Sequence, residues 1–336
     1  METPLSNKSK FKSFEHQVAG HKGVMVDDDQ LMVIKPSVAP EKLFYELAIP
    51  NTIFKQFIPE YYGVLKPHNG TAEVGQLSQD CEGSVGCTSP AKRSKTSTTE
   101  PLQGIVHGQE QEEYICIQNL LHGFAKPCVM DIKIGSRLYD DSADETKRQR
   151  MIKKALETTS STLGFYVCGI KVQDPSSDAS TSYDRPWCKS LTKITIRKAF
   201  SAFFPESLGK EFRNYLINQF VLELKEYRDV VKNQDLKMYS SSLLFVYDSG
   251  LNRRNAFFSK NNVSCDADTR KDSEVFINED SEEEGDDAKK ETDIALLDMR
   301  AIDFAHSSWT PGSKINTDYL EGLDKLIEIL QLEIKN

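Results

Sequence analysis

The chain has 336 residues, enough for one large or two modest domains with an apolar core, and it combines 38% hydrophobic residues with a net charge of -9. Its seven cysteines show no C-x-x-C pair and no Cys/His spacing, which favours reduced thiols over a disulfide framework or a zinc site. No run of eighteen apolar residues occurs and residues 1–10 lack a signal-peptide core, so neither a membrane span nor secretion is expected, and the negative charge argues against general nucleic-acid binding.

Residues 30–35 alternate into Pro36 and predict a short strand, and residues 40–47, opened by proline, predict a helix. Residues 67–111 are rich in Gly, Ser, Thr and Gln with almost no apolar periodicity, which predicts a disordered insertion. Tyr114 to Leu121 predicts a second strand. Next comes Pro127-Cys128-Val129-Met130-Asp131-Ile132-Lys133-Ile134-Gly135, where a carboxylate and an ammonium stand two residues apart in an apolar run. Side chains alternate along a strand, so Asp131 and Lys133 share one face while Met130, Ile132 and Ile134 share the other. Burying two charges is costly unless they meet each other, a metal or a charged ligand. The pair is therefore either an edge-strand salt bridge or part of a polyanion site.

Residues 144–158 predict a helix on which positions 147, 150 or 151, and 154 share a face, so Lys147, Arg150 and Lys154 form a cationic stripe. Such a stripe is either a solvated face or a phosphate-binding one. From 205 to 231 the set Phe212, Leu216, Phe220, Leu224, Tyr227 and Val231 keeps a three-to-four residue period and predicts a core helix. Residues 238–247 predict a strand. Residues 249–292 predict a second disordered insertion, in which seven of the nine residues from Glu279 to Asp287 are acidic. That tract is either a solvated loop or a binding element, and it holds most of the charge excess, leaving room elsewhere for a basic patch. Ser281, followed by three glutamates, has the look of an acidophilic-kinase substrate, and Lys92-Arg93-Ser94-Lys95 is a short basic run of the nuclear-import kind. Residues 295–304 predict a strand and residues 318–334 an amphipathic helix.

The nine residues from Pro127 fit the P-x-x-x-D-x-K-x-G signature of the inositol polyphosphate kinases. Two further signatures follow in order, Ser240-Ser241-Ser242-Leu243-Leu244 and Ile302-Asp303-Phe304. Ala19-Gly20-His21-Lys22-Gly23, Leu163-Gly164-Phe165, Cys168-Gly169-Ile170-Lys171-Val172 and Ala305-His306-Ser307 agree as flanks. The chain resembles this family, and within it the fungal multikinases, over all but the extreme N-terminus and the two insertions. The resemblance implies an α+β, two-lobed kinase fold. Its N-terminal lobe, an antiparallel sheet plus helix at 11–66 and 112–121, is similar to protein kinases in the nucleotide-binding half. The larger C-terminal lobe takes 122–248 and 293–336 and carries an inositol-phosphate-binding helix at 144–158.

The resemblance further implies ATP- and Mg2+-dependent phosphorylation of inositol 1,4,5-trisphosphate, at the 3- and 6-hydroxyls, to tetrakis- and pentakisphosphate. Lys35 is then expected on the ATP phosphates, the Gln118 carbonyl and Leu120 amide on adenine, and Asp303 on magnesium. Gln118 and Asn119 stand where relatives often carry acidic residues, which leaves their side-chain roles open. Asp131 is expected between nucleotide and inositol, with Lys133 neutralising charge as the phosphoryl group moves. Lys147, Arg150, Lys154 and His306 are expected on the inositol phosphates, Lys193 by the same logic, and Ser240 to Ser242 on the nucleotide side. The short stretch from Gln173 to Ser190 favours a multikinase over a monofunctional trisphosphate 3-kinase or a hexakisphosphate kinase. From another class comes a non-catalytic transcription scaffold, with transcription-factor partners at the acidic tract and a nuclear location with a cytoplasmic fraction.

Overall fold

A computed structural model describes residues 11–14, 18, 23–68, 71–75, 113–251, 255 and 296–334. The acidic tract, Ser281, Lys92 to Lys95 and most of the Ala19–Gly23 motif lie outside these residues.

The chain forms two antiparallel sheets with the site between them. The first lobe holds β1 (Phe11–Ser13), β2 (Met25–Asp27), β3 (Met32–Pro36), β4 (Tyr61–His68), β5 (Thr71–Gly75) and β6 (Tyr114–Gln118), ordered β1-β2-β3-β6-β4-β5. Tyr45 of α1 (Ala39–Ala48), which has Pro40 in its first turn, stacks on Tyr61 of β4, and the single-turn α2 (Thr52–Lys55), capped by the Asn51 side chain accepting from the Phe54 N–H, packs toward the second lobe. The expected strand at 114–121 ends at Gln118, because Asn119 to Leu121 turn to cross into the second lobe. β5 corrects the expected insertion: residues 71–75 pair with β4, so the sheet continues past residue 67.

The second lobe is built on β7 (Pro127–Ile134), β8 (Phe165–Gln173), β9 (Ser180–Tyr183), β11 (Ser242–Asp248) and β12 (Leu297–Ile302), ordered β12-β11-β7-β8-β9. A separate ribbon pairs β10 (Leu236–Met238) with β13 (Ser307–Trp309). The single strand expected over 238–247 is thus two, divided at Ser240, whose φ of 56° lies in the left-handed region where the ladder cannot continue. Helices α3 (Glu145–Leu156), α4 (Ser160–Leu163), α5 (Arg185–Lys189), α6 (Arg197–Phe203), α7 (Lys210–Lys232) and α8 (Thr317–Ile334) complete the lobe. None among the described residues is long and apolar enough to cross a membrane.

Period-two alternation sets up the central sheet. Cys128, Met130, Ile132 and Ile134 of β7 enter the main apolar core with Phe220 and Leu224 of α7 and Leu326 and Leu330 of α8, all fully or nearly buried. The predicted α7 stripe is buried at every position, and Phe220 stacks on Phe245 of β11 at 4.6 Å between centroids. The same core runs between the lobes. Phe44 of α1 stacks on Phe304 at 4.2 Å, and the Trp309 indole N–H donates to the Phe44 carbonyl at 3.1 Å.

The end of β7 is held by backbone contacts. The Gly135 N–H donates to the Gly164 carbonyl at 2.7 Å, and Gly164, at φ 71°, lies directly against Gly322 of α8 with no room for a Cβ on either residue. Asp318, in the first turn of α8, accepts from the backbone N–H groups of Ser136 and Arg137. We expect Gly322→Ala to destabilise the fold by about 1–3 kcal/mol through this overpacking, read as a lower urea midpoint with an unchanged slope.

Candidate active site

A cavity of about 540 Å3 opens between the lobes, lined by Lys35, Glu41, Asp131, Lys133, Asp303 and His306 among others. β3 and α1 supply its roof, the Gln118–Leu121 turn its back wall, and β7, β11 and β12 its floor.

Lys35 stands at the end of β3 and donates to Glu41 and to Asp303, each at 2.9 Å. Burial disfavours its charge, but the carboxylates of Asp303 and Glu41 outweigh that and hold its pKa above the ordinary lysine value. Glu41 is 2% exposed and accepts a further bond from the Phe304 N–H at 3.3 Å. This glutamate escaped the sequence reading. Its signal was present: positions 41, 44, 45 and 48 form the buried stripe of α1, so an acid sits where the helix should be apolar. A lysine on a strand paired with a helix glutamate is the arrangement kinases use to hold nucleotide phosphates.

Asp131 and Lys133 share the cavity face of β7, as alternation required. The edge-strand alternative fails, because β7 is the middle strand of five. Nor do the two close on each other by a hydrogen bond. Lys133 donates to the Ser240 carbonyl, at the left-handed residue that divides β10 from β11. Asp131 keeps one buried carboxylate oxygen without a hydrogen-bond partner. Burial pushes its pKa up to about 6, with Lys133 opposing the shift and Asp303 adding to it. Opposite Asp131 on β8 is Gly169, where a side chain would collide with the backbone of Val18 lying over the sheet.

His306 lines the cavity and its Nδ1 lies 2.6 Å from Asp140, which Lys147 also approaches at 3.5 Å. Burial and Lys147 lower the His306 pKa against the pull of Asp140. Burial works against the Asp140 carboxylate, yet Ser142, Lys147 and His306 together hold its pKa down to about 2. Asp140 was not predicted, and no periodicity marks it among the acidic turn residues around it. Lys154 lines the cavity too. Burial lowers its pKa, aided by Lys133, Arg185 and Lys189, so Arg185 and Lys189 extend the cationic field beyond the expected stripe.

Three expected ligands are not in the cavity lining: Lys147, which instead reaches Asp140 beside His306, Arg150 and Lys193. Arg150 is exposed outside the cavity lining, because the inward position of α3 between Lys147 and Lys154 is taken by Met151. Lys193 is exposed on the turn after α5, outside the lining. Of the three serines only Ser240 borders the cavity; Ser241 and Ser242 are fully buried, and the Ser241 hydroxyl donates to Tyr319. Gln118 and Leu120 both line it.

Among the described residues no three His, Cys, Asp or Glu side chains converge as a ready metal site. The unpartnered oxygen of Asp131 and the carboxylate of Asp303, both in the lining, nevertheless suit a hard cation that takes its remaining ligands from phosphate and water.

Residues 114–331 match the family model described as inositol polyphosphate kinase. The chain is 28% identical to the inositol polyphosphate multikinase of Saccharomyces cerevisiae, over 97% of its own length and 99% of the relative's. It is likewise 28% identical to the inositol polyphosphate multikinase of Schizosaccharomyces pombe, with the same two coverages. Its structure superposes on the crystal structure of an inositol phosphate multikinase from S. cerevisiae in complex with ADP and Mn2+, with a TM-score of 0.62 at 25% identity, covering 90% of this chain and 99% of that one. The two-lobed α+β fold expected from the sequence is thus confirmed.

Folding raises the Asp131 pKa from its ordinary 3.8 to about 6, so the native state binds this proton more tightly than the unfolded chain does. The ionised carboxylate therefore costs stability, progressively as pH rises between those values and in full above the higher one. We expect Asp131→Asn to be more stable than the parent by about 1–3 kcal/mol near neutral pH, the gain disappearing below about pH 4. Urea unfolding across pH checks this; an equal gain at all pH values would contradict it.

Proposed function

The chain belongs to the inositol polyphosphate kinase family, and from that membership we propose that it is a multikinase, transferring phosphoryl groups from ATP to inositol 1,4,5-trisphosphate and then to the tetrakisphosphate product. The observation that carries this reading is the buried Asp131 carboxylate beside Lys133, with one oxygen left without a hydrogen-bond partner, at the seam between a nucleotide-facing roof and a cationic wall.

Adenine would sit against the Gln118–Leu120 turn, with its phosphates toward Lys35. Glu41 holds Lys35 in place from the buried side, so the ammonium can exchange Asp303 for a phosphate while remaining paired. Asp303, released by that exchange, and the free oxygen of Asp131 would hold Mg2+, which supplies charge neutralisation between the nucleotide phosphates. Asp131 also faces the acceptor, where its oxygen can take a hydrogen bond from the ring hydroxyl and orient it for attack. Lys133, anchored on the Ser240 carbonyl, is placed to meet the charge that gathers on the transferred group. Lys154, Lys147 and His306 would receive the ring phosphates; Asp140 fixes the histidine so that its other ring nitrogen is presented to the ligand. Only residues 174–184 and the short helix α5 separate β8 from the loop beyond it, which leaves the acceptor side open enough for more than one ring orientation. A nuclear location with a cytoplasmic fraction, and transcription-factor contact through the acidic tract, complete the proposal; the charge of that tract supports them.

Incubation of the purified chain with Mg-ATP and inositol 1,4,5-trisphosphate should yield tetrakis- and then pentakisphosphate on chromatography over time. Loss of the Asp131 carboxylate in Asp131→Ala should lower kcat by at least about a thousandfold. A reaction that stops after one phosphate would indicate a monofunctional 3-kinase, and turnover of the hexakisphosphate alone a hexakisphosphate kinase.

A further inference from the structure

Three aliphatic side chains stand in solvent on neighbouring parts of the second lobe: Leu156 is 70% exposed, Ile152 39% and Ile194 82%. Ile152 and Leu156 lie one turn apart on α3, on the side away from the cavity, since Met151 and Lys154 line the cavity and Ala155 is buried. Ile194 is at the tip of the turn that follows α5. That turn is pinned by the Ile196 N–H donating to the Thr192 carbonyl at 2.8 Å and the Thr192 N–H donating to the Thr195 hydroxyl at 2.9 Å. Leu191 and Ile196 on either side are buried, so Ile194 is held outward on a fixed support. The two elements adjoin where Lys189 lies 3.8 Å from Glu157, the residue that caps α3.

Cations stand near these residues along the chain, Arg150 and Lys153 by Ile152 and Lys193 and Lys198 by Ile194. Arg150, Lys153, Lys193 and Lys198 are all exposed. Of the acidic groups on α3 and its cap, Glu145 bonds Gln149 at the far end, and Glu157 is shared between Lys153 and Lys189. None of the three aliphatic residues lines the cavity between the lobes, and all three project into solvent. A single exposed leucine or isoleucine is unremarkable; three on rigid supports with exposed cations on the same two elements match the polarity profile of an anionic bilayer interface.

We propose that this surface docks the protein on an anionic lipid bilayer. Leu156, Ile152 and Ile194 enter the boundary between headgroups and acyl chains, while Arg150, Lys153, Lys193 and Lys198 meet the lipid charges. Arg150 and Lys193, which belong to no part of the catalytic cavity, thereby acquire a function. The docking is independent of the phosphoryl-transfer reading, and it is measured without turnover.

The test is sedimentation of the full chain with vesicles of phosphatidylcholine alone or with roughly 30% phosphatidylserine. The parent should sediment with the serine-containing vesicles only, and less as salt is raised. Leu156→Ser/Ile194→Ser, which leaves the charge unchanged, should weaken binding at least about tenfold with its thermal midpoint and its turnover of soluble inositol phosphate intact. Lys153→Glu/Lys193→Glu should weaken it likewise. Failure of the parent to bind, or binding by the aliphatic double variant at the parental level, would overturn the proposal. Vesicle binding by a parent that phosphorylates no inositol phosphate would overturn only the enzymatic reading.

Discussion

The bridge from Lys35 to Glu41 and Asp303 is the contact on which the arrangement of the two lobes turns. Its three charges come from β3, from α1 and from the segment after β12, so one ammonium ties the roof of the cavity to its floor. Glu41 is almost wholly out of water, and a carboxylate so placed needs its partner. The backbone of Phe304 adds a second donor to Glu41 while its ring stacks on Phe44 one turn further along α1. Apolar packing and ion pairing thus act on the same two helical turns. A displacement of α1 large enough to break the stack would also strip the glutamate of its bonds.

Around that bridge the fold keeps strain and unsatisfied polarity where chemistry needs them. Ser240 and Asp303 both hold positive φ without being glycine, and both border the cavity. Such a conformation costs of order 1 kcal/mol or more, and it persists only where neighbours enforce it. At Ser240 it aims a carbonyl at Lys133; at Asp303 it lets the strand end turn a carboxylate back toward Lys35. Asp131 carries the complementary penalty, a buried oxygen with no protein donor, which a ligand in the cavity can relieve.

Legibility in the sequence followed the range of the interactions involved. The pairing of Asp131 with Lys133 on one face needed only the period of a strand, and the α7 core stripe only the period of a helix. That β7 is a central strand depends on β11, more than a hundred residues away, so the edge alternative could not be dismissed locally. Glu41 was readable as an acid in an apolar stripe, and only the habit of expecting acids in first helical turns concealed it. Asp140 had no such mark, since it is one of several aspartates in a turn and earns its role from His306 on another segment. At α3 the period allowed 150 or 151, and the structure chose Met151; a step of about 100° per residue is too coarse to decide between neighbours at the margin of a face.

Helix α3 shows how one short element can serve two surfaces. Its inward side sets Met151 and Lys154 in the cavity wall and Lys147 beside Asp140, and its outward side pairs Ile152 and Leu156 with Arg150 and Lys153. Neither side is apolar enough to anchor the helix by burial alone, and Ala155 is its only fully buried residue. Ala155 and Met151 pack with Leu138, Tyr166 and Cys168, and local bonds secure its first turn. The Asp144 side chain accepts from the Lys147 N–H at 2.7 Å, and the Arg148 guanidinium donates to the Ala143 carbonyl at 2.8 Å. With the helix held by this narrow apolar seam, much of its surface is left to meet ligands, and a cationic helix of this kind gains from an anion on either side. Phosphates in the cavity and lipid headgroups outside would not compete for the same side chains, because the inward lysines cannot reach around to the outer face. The field they share is nonetheless common to both, so an anion on one face lessens the repulsion among the cations on the other and thereby slightly weakens its pull on the second ligand.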